Sequence, residues 1–277
     1  MTAIVDTLAA IDTWGAEHAA AAVLEPSGIL ATRGDRERIF RWASVTKIAT
    51  ALAVLVQVDR GVIGLKEPAG PPGATVRHLL AHASGLPFEG LTPIAAPGTR
   101  RIYSNGGFDT LGALVADRAG RPFEAVLGEL VLEPLEMGAT TLRERPSQGL
   151  HGPLDDLVAL ARELLTPTLL RPATFRLATS VAFPGLTGQL PGVGRFDPLD
   201  WGLGFELRDG KVPHWTGSRN SPATFGHFGG AGTFVWVDPV ARLATVVLTD
   251  REYDAWALEA WPPFSDAVLA SAGQPGA

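Results

Sequence analysis

The sequence predicts an α/β chain of the α+β kind, in which an antiparallel sheet is built from both chain ends, is flanked by helices and receives an inserted, mostly helical segment. Three observations predict it. Residues 20–35, AAAVLEPSGILATRGD, and residues 232–250, GTFVWVDPVARLATVVLTD, each read as two short strands split by a turn, at Pro26-Ser27-Gly28 and at Asp238-Pro239. Between these hairpins the apolar residues recur with helical spacing. The composition, 46% hydrophobic and 19% charged over 277 residues, supplies a full core for one large domain or two interleaved ones and excludes a disordered or fibrous chain. We expect residues 1–65 and 200–277 to form the sheet part and 66–199 the inserted helical part, with a site in the cleft where they meet.

In chain order, the opening segment MTAIVDTLAAIDTWGAEH lacks a basic n-region and carries Asp6, Asp12 and Glu17 where a signal peptide would be apolar. It reads as an amphipathic helix of a cytoplasmic protein. After the first hairpin, RWASVTKIATALAVLVQVDRG (residues 41–61) reads as a helix beginning near Trp42 or Ser44, and it is the longest apolar run. It falls short of the roughly 18 to 20 residues a bilayer span requires. Further helices are expected over VRHLLAHAS (76–84), FDTLGALVADRAG (108–120, stopped by Gly120), FEAVLGELVLEPL (123–135) and LDDLVALARELL (154–165). Pro167 to Trp201 is rich in glycine and proline and reads as loop with short helical pieces. A net charge of −6 offers no basic patch for nucleic acid or an anionic membrane surface. The absence of cysteine excludes disulfides and thiolate metal sites.

One residue in the apolar run is out of place. Lys47 stands three residues after Ser44, on the same helical face, although a buried ammonium is costly unless it is paired or loses its proton. A serine and a lysine so placed can act as nucleophile and base, since burial depresses the amine's pKa and the neutral amine can take the hydroxyl proton. The spacing is also met by an N-cap serine and a lysine that snorkels to solvent. Two further segments favour chemistry. Tyr103-Ser104-Asn105 precedes a helix in a chain with only two tyrosines and two asparagines. The phenol can act as a phenolate-type base or relay protons, and the amide can orient the lysine and a substrate carbonyl. His227-Phe228-Gly229-Gly230 enters a predicted strand, where the glycines would let a substrate lie along the strand edge and a backbone N–H could supply half of an oxyanion hole.

Other constellations carry less. His78 and His82 in HLLAH have the spacing of a zinc helix, but Leu79 stands where the general-base glutamate belongs and no third ligand is evident. Ser84 in HASGL lacks the glycines of a nucleophile elbow. Asp155 and Asp156 are adjacent, so they do not share a helix face, and a capping role is expected of them. Trp201, Trp215 and Trp236 could line a cleft, although core packing is the default for tryptophan.

Taken together, SVTK, HLLAHASGLP, APGTRRIYSNGGFDTLG, LEPLEMGATTL, WGLGFELR and HFG follow one another in an order that resembles the serine β-lactamase and penicillin-binding-protein superfamily. The similarity is to the branch holding class C β-lactamases, D-alanyl-D-alanine carboxypeptidases and β-lactamase-like carboxylesterases, and it runs from about Phe40 to Arg251. The resemblance implies that Ser44 is the acyl-forming nucleophile, that Lys47 and Tyr103 are its proton-transfer partners and that Asn105 orients the substrate. Backbone N–H groups of Ser44 and Gly230 would form the oxyanion hole, with His227 and Gly229 beside the substrate and with no metal and no cofactor. The expected substrate is a small ester, amide or lactam. His227 and Phe228 stand where relatives that take penicillins or peptide carboxylates have the lysine and threonine of K-T-G, so carboxylate recognition at that position should be weak. This favours a carboxylesterase over a β-lactamase or carboxypeptidase. A catalytically silent binding protein of the same fold is the alternative from another class, and its sign, a lost motif residue, is absent.

Overall fold

In the computed structural model, which describes residues 2–273, both hairpins form and join in one sheet. Gly28–Arg33, Ala19–Glu25, Leu243–Thr249, Thr233–Asp238, Phe225–Gly229 and Glu206–Leu207 lie side by side in that order, every neighbour antiparallel. The two ends of the chain meet along a register that runs from Ala19 opposite Thr249 to Leu24 opposite Ala244. Alternation of side chains splits the strands between two cores. Ala20, Ala22, Leu24, Val235, Val237, Val246 and Leu248 pack on one face, which the helix Leu154–Leu165 covers. Ala21, Val23, Phe234, Trp236 and Val247 face the other way, against Trp14, Trp261 and Phe264. Since both faces are covered, the strands read as nearly continuous apolar runs, and each fully buried Val or Phe stabilises the fold by about 1.5–3 kcal/mol.

The amino-terminal helix runs Thr2–Leu8 and tightens into a 3₁₀ turn at Ala9–Thr13, burying Ile4, Leu8 and Ile11 as its amphipathic pattern requires. It packs on Ala255–Ser271, a helix that continues through Pro262 and Pro263, where a proline pair would ordinarily mark a break. The helix expected over 108–120 begins earlier, at Asn105, because the Ser104 hydroxyl accepts the Gly107 N–H at 3.1 Å. It ends at Ala119, where Gly120 turns into the left-handed region at φ 63°. The helix expected over 154–165 forms with those bounds, but its acidic pair does not cap it. Asp155 pairs with Arg36 at 2.7 Å, and Asp156 accepts from the Ala139 N–H (3.1 Å) and the Thr140 hydroxyl (2.7 Å). The run 123–135 is helical as Phe123–Leu127 and then widens to a π turn at Gly128–Leu132.

Two differences bear on the site. The helix expected over 76–84 stops at Leu80, and His82 takes a left-handed backbone at φ 53°. The segment 167–201 is not only loop and helix. It contributes the strands Gly188–Leu190 and Gly194–Phe196, which join Arg101–Ile102 in a second, three-stranded sheet. Among the described residues no helix is long and apolar enough to cross a membrane.

Candidate active site

Ser44 sits in a 3₁₀ turn, Ala43–Val45, that runs directly into the buried helix Thr46–Asp59. The turn is strained, because Ala43 has φ 46°, a conformation that costs a residue with a Cβ about 1 kcal/mol or more. Its surroundings hold it there. The Trp42 N–H donates to Leu150 O (2.9 Å), the Trp42 indole N–H donates to Gly152 O (3.1 Å), and the Thr233 hydroxyl donates to Trp42 O (2.9 Å). The strand Phe225–Gly229 passes so closely that a Cβ on Gly229 would stand 2.5 Å from Trp42 O and 3.1 Å from the Ala43 Cβ. Glycine is therefore required at 229 by the backbone that carries the serine. At Gly230 an added Cβ would meet nothing within 4 Å.

Lys47 is completely buried on the first turn of the helix. Its ammonium lies 3.1 Å from Ser44 Oγ, 2.6 Å from Asn105 Oδ1 and 2.8 Å from Ser147 O, and 4.8 Å from the centre of the Tyr103 ring. Burial pushes its pKa down to about 7, against the pull of Asp109 and Glu89. The three partners differ in kind, and the difference sets what happens when the proton leaves. A backbone carbonyl accepts only. The Asn105 amide presents its oxygen to the lysine because its Nδ2 donates to Glu89 Oε1 at 2.6 Å, and Glu89 is in turn gripped by Arg145 at 3.0 and 3.1 Å. The two N–H groups of neutral Lys47 remain with these acceptors, and its lone pair is left facing the one partner that can donate, the Ser44 hydroxyl.

Tyr103 is buried beside them, and burial raises the pKa of its phenol above the ordinary value while the Ser44 hydroxyl acts in the opposite sense. The phenol is therefore held in its neutral form, which disfavours the phenolate-base reading of Tyr103. Its oxygen lies 3.4 Å from His227 Nε2. His227 Nδ1 is 2.6 Å from Phe228 O, a pure acceptor, which places the ring proton on Nδ1 and the lone pair on Nε2. Burial, and secondarily the Lys47 charge, push the His227 pKa down to about 3, so the imidazole is uncharged. His82 also packs on the phenol, its ring centre 4.5 Å away and tilted by 32°; it accepts the Ser104 N–H on Nδ1 at 3.0 Å and the Ile102 N–H on its carbonyl at 2.8 Å. Its left-handed backbone thus clamps the Tyr103-Ser104-Asn105 turn. His78 points elsewhere, onto Phe183 at 4.4 Å, and the two histidines share no site.

These side chains open onto a cavity of about 250 Å³, whose wall includes Ser44, Tyr103, Asn105, His227, Phe228 and Gly230. Of the tryptophans, Trp201 lines it, while Trp215 and Trp236 are packed in the core. Residues that sequence reasoning did not single out complete it. Phe88 overhangs the mouth, stacked on Tyr103 at 5.7 Å. Glu206 stands at the back in a fully buried cluster, where Lys211 lies 2.9 Å from one oxygen and His214 Nε2 and the Trp215 indole lie 2.9 and 3.0 Å from the other. Burial pushes the Glu206 carboxyl up, but His214 and Lys211 outweigh it and hold it near 2. WGLGFELR contains this glutamate, yet nothing in its spacing distinguishes it from a surface strand residue. Ser147 acts through a backbone carbonyl, which leaves no sequence signal.

The family model described as Beta-lactamase matches residues 19–269. Among solved structures, a beta-lactamase from Mycobacterium bovis is 51% identical with a TM-score of 0.94, over 95% of this chain and 98% of that one. Among curated proteins, the D-alanyl-D-alanine-carboxypeptidase/endopeptidase AmpH of Escherichia coli (strain K12) is 29% identical over 42% of this chain and 40% of its own. Esterase EstB of Burkholderia gladioli is 32% identical over 36% of this chain and 38% of its own. The matched region thus spans about two fifths of the length of each curated relative. With its mixed antiparallel fold and the order of its motifs, the chain belongs to the beta-lactamase family, within the serine β-lactamase and penicillin-binding-protein-like superfamily.

Proposed function

We propose that this protein is a serine hydrolase that works through an acyl-enzyme on small esters or amides. The observation that carries the reading is the buried Lys47, pushed down to about 7 and flanked by two acceptors that cannot donate, so that its lone pair faces Ser44. In the reaction Lys47 takes the Ser44 proton as Oγ bonds to the substrate carbonyl carbon, and the carbonyl oxygen becomes an oxyanion. The N–H groups of Ser44 and Gly230, both on the cavity wall, are the donors assigned to that oxyanion. Collapse expels the alcohol or amine, which receives a proton passed from Lys47 through the neutral Tyr103 hydroxyl, and leaves an acyl group on Ser44. Water then attacks the acyl carbon, its proton returning by the same groups. Asn105 keeps the amine aimed at Ser44, and His227 borders the bound substrate, whereas Gly229, expected beside it, is absent from the cavity wall and packs against the Trp42 carbonyl.

Ester specificity is supported by what replaces K-T-G: an uncharged imidazole and a phenyl ring packed on Tyr253 at 4.9 Å, with neither an ammonium nor a hydroxyl for a carboxylate. Intact mass after incubation with p-nitrophenyl acetate tests the whole reading. We expect an acetyl adduct on Ser44 and turnover, both lost in Ser44→Ala at unchanged circular dichroism. Turnover by Ser44→Ala at the wild-type rate would remove Ser44 from the mechanism, and a lasting adduct with benzylpenicillin but none with esters would favour the β-lactam reading.

A further inference from the structure

Next to the nucleophile's cavity, across Phe88, lies a second one of about 390 Å³, and the two share Phe88, Tyr103 and Pro191 as walls. We propose, resting on the reading of Ser44 as an acylating nucleophile, that this second cavity binds the anionic end of a substrate whose middle is apolar, with Arg100 and Arg195 as its ligands. The class of substrate is an ester that carries a carboxylate several carbons from the carbonyl that reacts.

The lining has an unusual balance of charge. In a chain with a net charge of −6, the ionisable groups apart from Tyr103 that line this cavity are Arg100, Arg101 and Arg195, with no carboxylate among them. Arg33, Arg36, Arg41, Arg118, Arg121, Arg145 and Arg171 each pair with an acid. Arg100 and Arg195 are exposed, and among the described residues neither forms a salt bridge, so their guanidinium donors are open to a ligand. Arg101 cannot serve in that way. It is buried, and its N–H groups are engaged by the carbonyls of Leu199, Ala81, Ala182 and Phe183, so it adds a fixed positive charge to the wall.

The two free arginines are carried on a rigid platform. Arg100 enters the strand Arg101–Ile102, which pairs with Gly188–Leu190, and Arg195 stands opposite Gln189 on the third strand of that sheet. The strands are close enough that a Cβ on Gly188 would collide with the Arg101 carbonyl. Beside Thr187 and Gln189, the lining of the second cavity includes Pro191 and two large apolar side chains left in solvent, Phe88 at 50% and Ile94 at 64% exposure, and Phe88 and Pro191 continue into the wall around Ser44. Exposed apolar side chains beside unpaired cations suit an amphiphilic anion better than a neutral ester or a small polar acid.

The test compares p-nitrophenyl hydrogen esters of adipic, suberic and sebacic acids with the same compounds methylated at the far carboxyl. We expect wild-type kcat/KM to favour the free acid for at least one chain length, and 0.5 M NaCl to reduce that preference. In Arg100→Ala/Arg195→Ala the ratio of free acid to methyl ester should fall by about tenfold, the sum of two screened charge contacts. A parallel calorimetric titration of Ser44→Ala with methyl hydrogen suberate should show binding that the two arginine substitutions weaken by a similar factor. Equal rates for acid and methyl ester at every length, or a ratio and an affinity unmoved by removing both arginines, would overturn the proposal. Loss of hydrolysis of all these esters with the calorimetric difference intact would instead count against Ser44 as nucleophile and support the subsite.

Discussion

Replacing Lys47 by methionine separates the cost of the buried lysine from its use. In the folded chain its pKa is about 7, against an ordinary 10.5. The gap of about 3.5 between them corresponds to about 5 kcal/mol by which the fold disfavours the ammonium, at about 1.4 kcal/mol per pH unit. The sign follows from counting protons. Between about pH 7 and 10.5 the unfolded chain holds one proton more than the folded chain at this position, so stability rises with pH across that window. Below about 7 both states are protonated and the full cost is present. Lys47→Met does not titrate. It leaves Asn105 Oδ1 and Ser147 O without their donor, which costs about 1–3 kcal/mol each but does not vary with pH. Other titrating groups are common to both proteins and cancel in the difference to first order. The stability of wild type minus variant should therefore rise by about 4 kcal/mol from pH 7 to pH 10, whatever its starting value. Urea unfolding of both proteins at pH 6, 7, 8, 9 and 10 measures it. A difference that stays flat to within about 1 kcal/mol over that range would show that Lys47 keeps its proton, and the assignment of the lysine as base would fall with it.

Three further outcomes are expected. The kcat/KM of wild type for p-nitrophenyl butyrate should climb through a midpoint near pH 7 as Lys47 loses its proton, and a rate falling from pH 6 to pH 8 would be inconsistent with an amine base. Gly229→Ala should lower kcat by about tenfold or more, because its Cβ must displace Trp42 O and with it the serine turn; Gly230→Ala, with open space around its Cβ, should lose far less, and equal losses would refute the steric argument. In His227→Lys/Phe228→Thr, the kcat/KM for benzylpenicillin relative to p-nitrophenyl butyrate should rise by about tenfold, the worth of one charge-assisted hydrogen bond. Its melting temperature should also fall, since Phe228 packs on Tyr253, Trp215 and Trp261; an unchanged substrate ratio would mean that the carboxylate is held elsewhere.

What the sequence could reveal depended on whether the information was local. The hairpins and the helix at 154–165 follow from periodicity and turn chemistry, and Ser44, Lys47, Tyr103 and Asn105 stand out because lysine, tyrosine and asparagine are scarce in this chain. The truncated helix at 76–80 was not legible, because it is the demand of Ser104 and Ile102 for acceptors on His82 that breaks it, contacts across 22 and 20 residues. The same holds for Asp156, which looks like a helix cap and serves Thr140 instead. The wall residues Glu206 and Phe88 acquire meaning only from the partners that the fold brings to them. Roles that rest on a backbone carbonyl, as at Ser147, have no residue-type signature at all.

The strand Leu243–Thr249 lies inside the sheet, between Ala19–Glu25 from the start of the chain and Thr233–Asp238 from near its end. During synthesis, more than 200 residues must follow Arg33 before this strand exists. At ribosomal speeds that is a wait of roughly 10 to 40 seconds. Through that interval the first hairpin has an unpaired inner edge and one uncovered apolar face, its other face being met only by Ile4, Leu8 and Ile11 of the amino-terminal helix. That is the condition in which strands associate with the wrong partner. Nascent chains of this protein should therefore be clients of holding chaperones until the last strand emerges. A premature stop between Asp238 and Leu243 would not trim the sheet at its rim but divide it down the middle, stranding the hairpin that opens the chain.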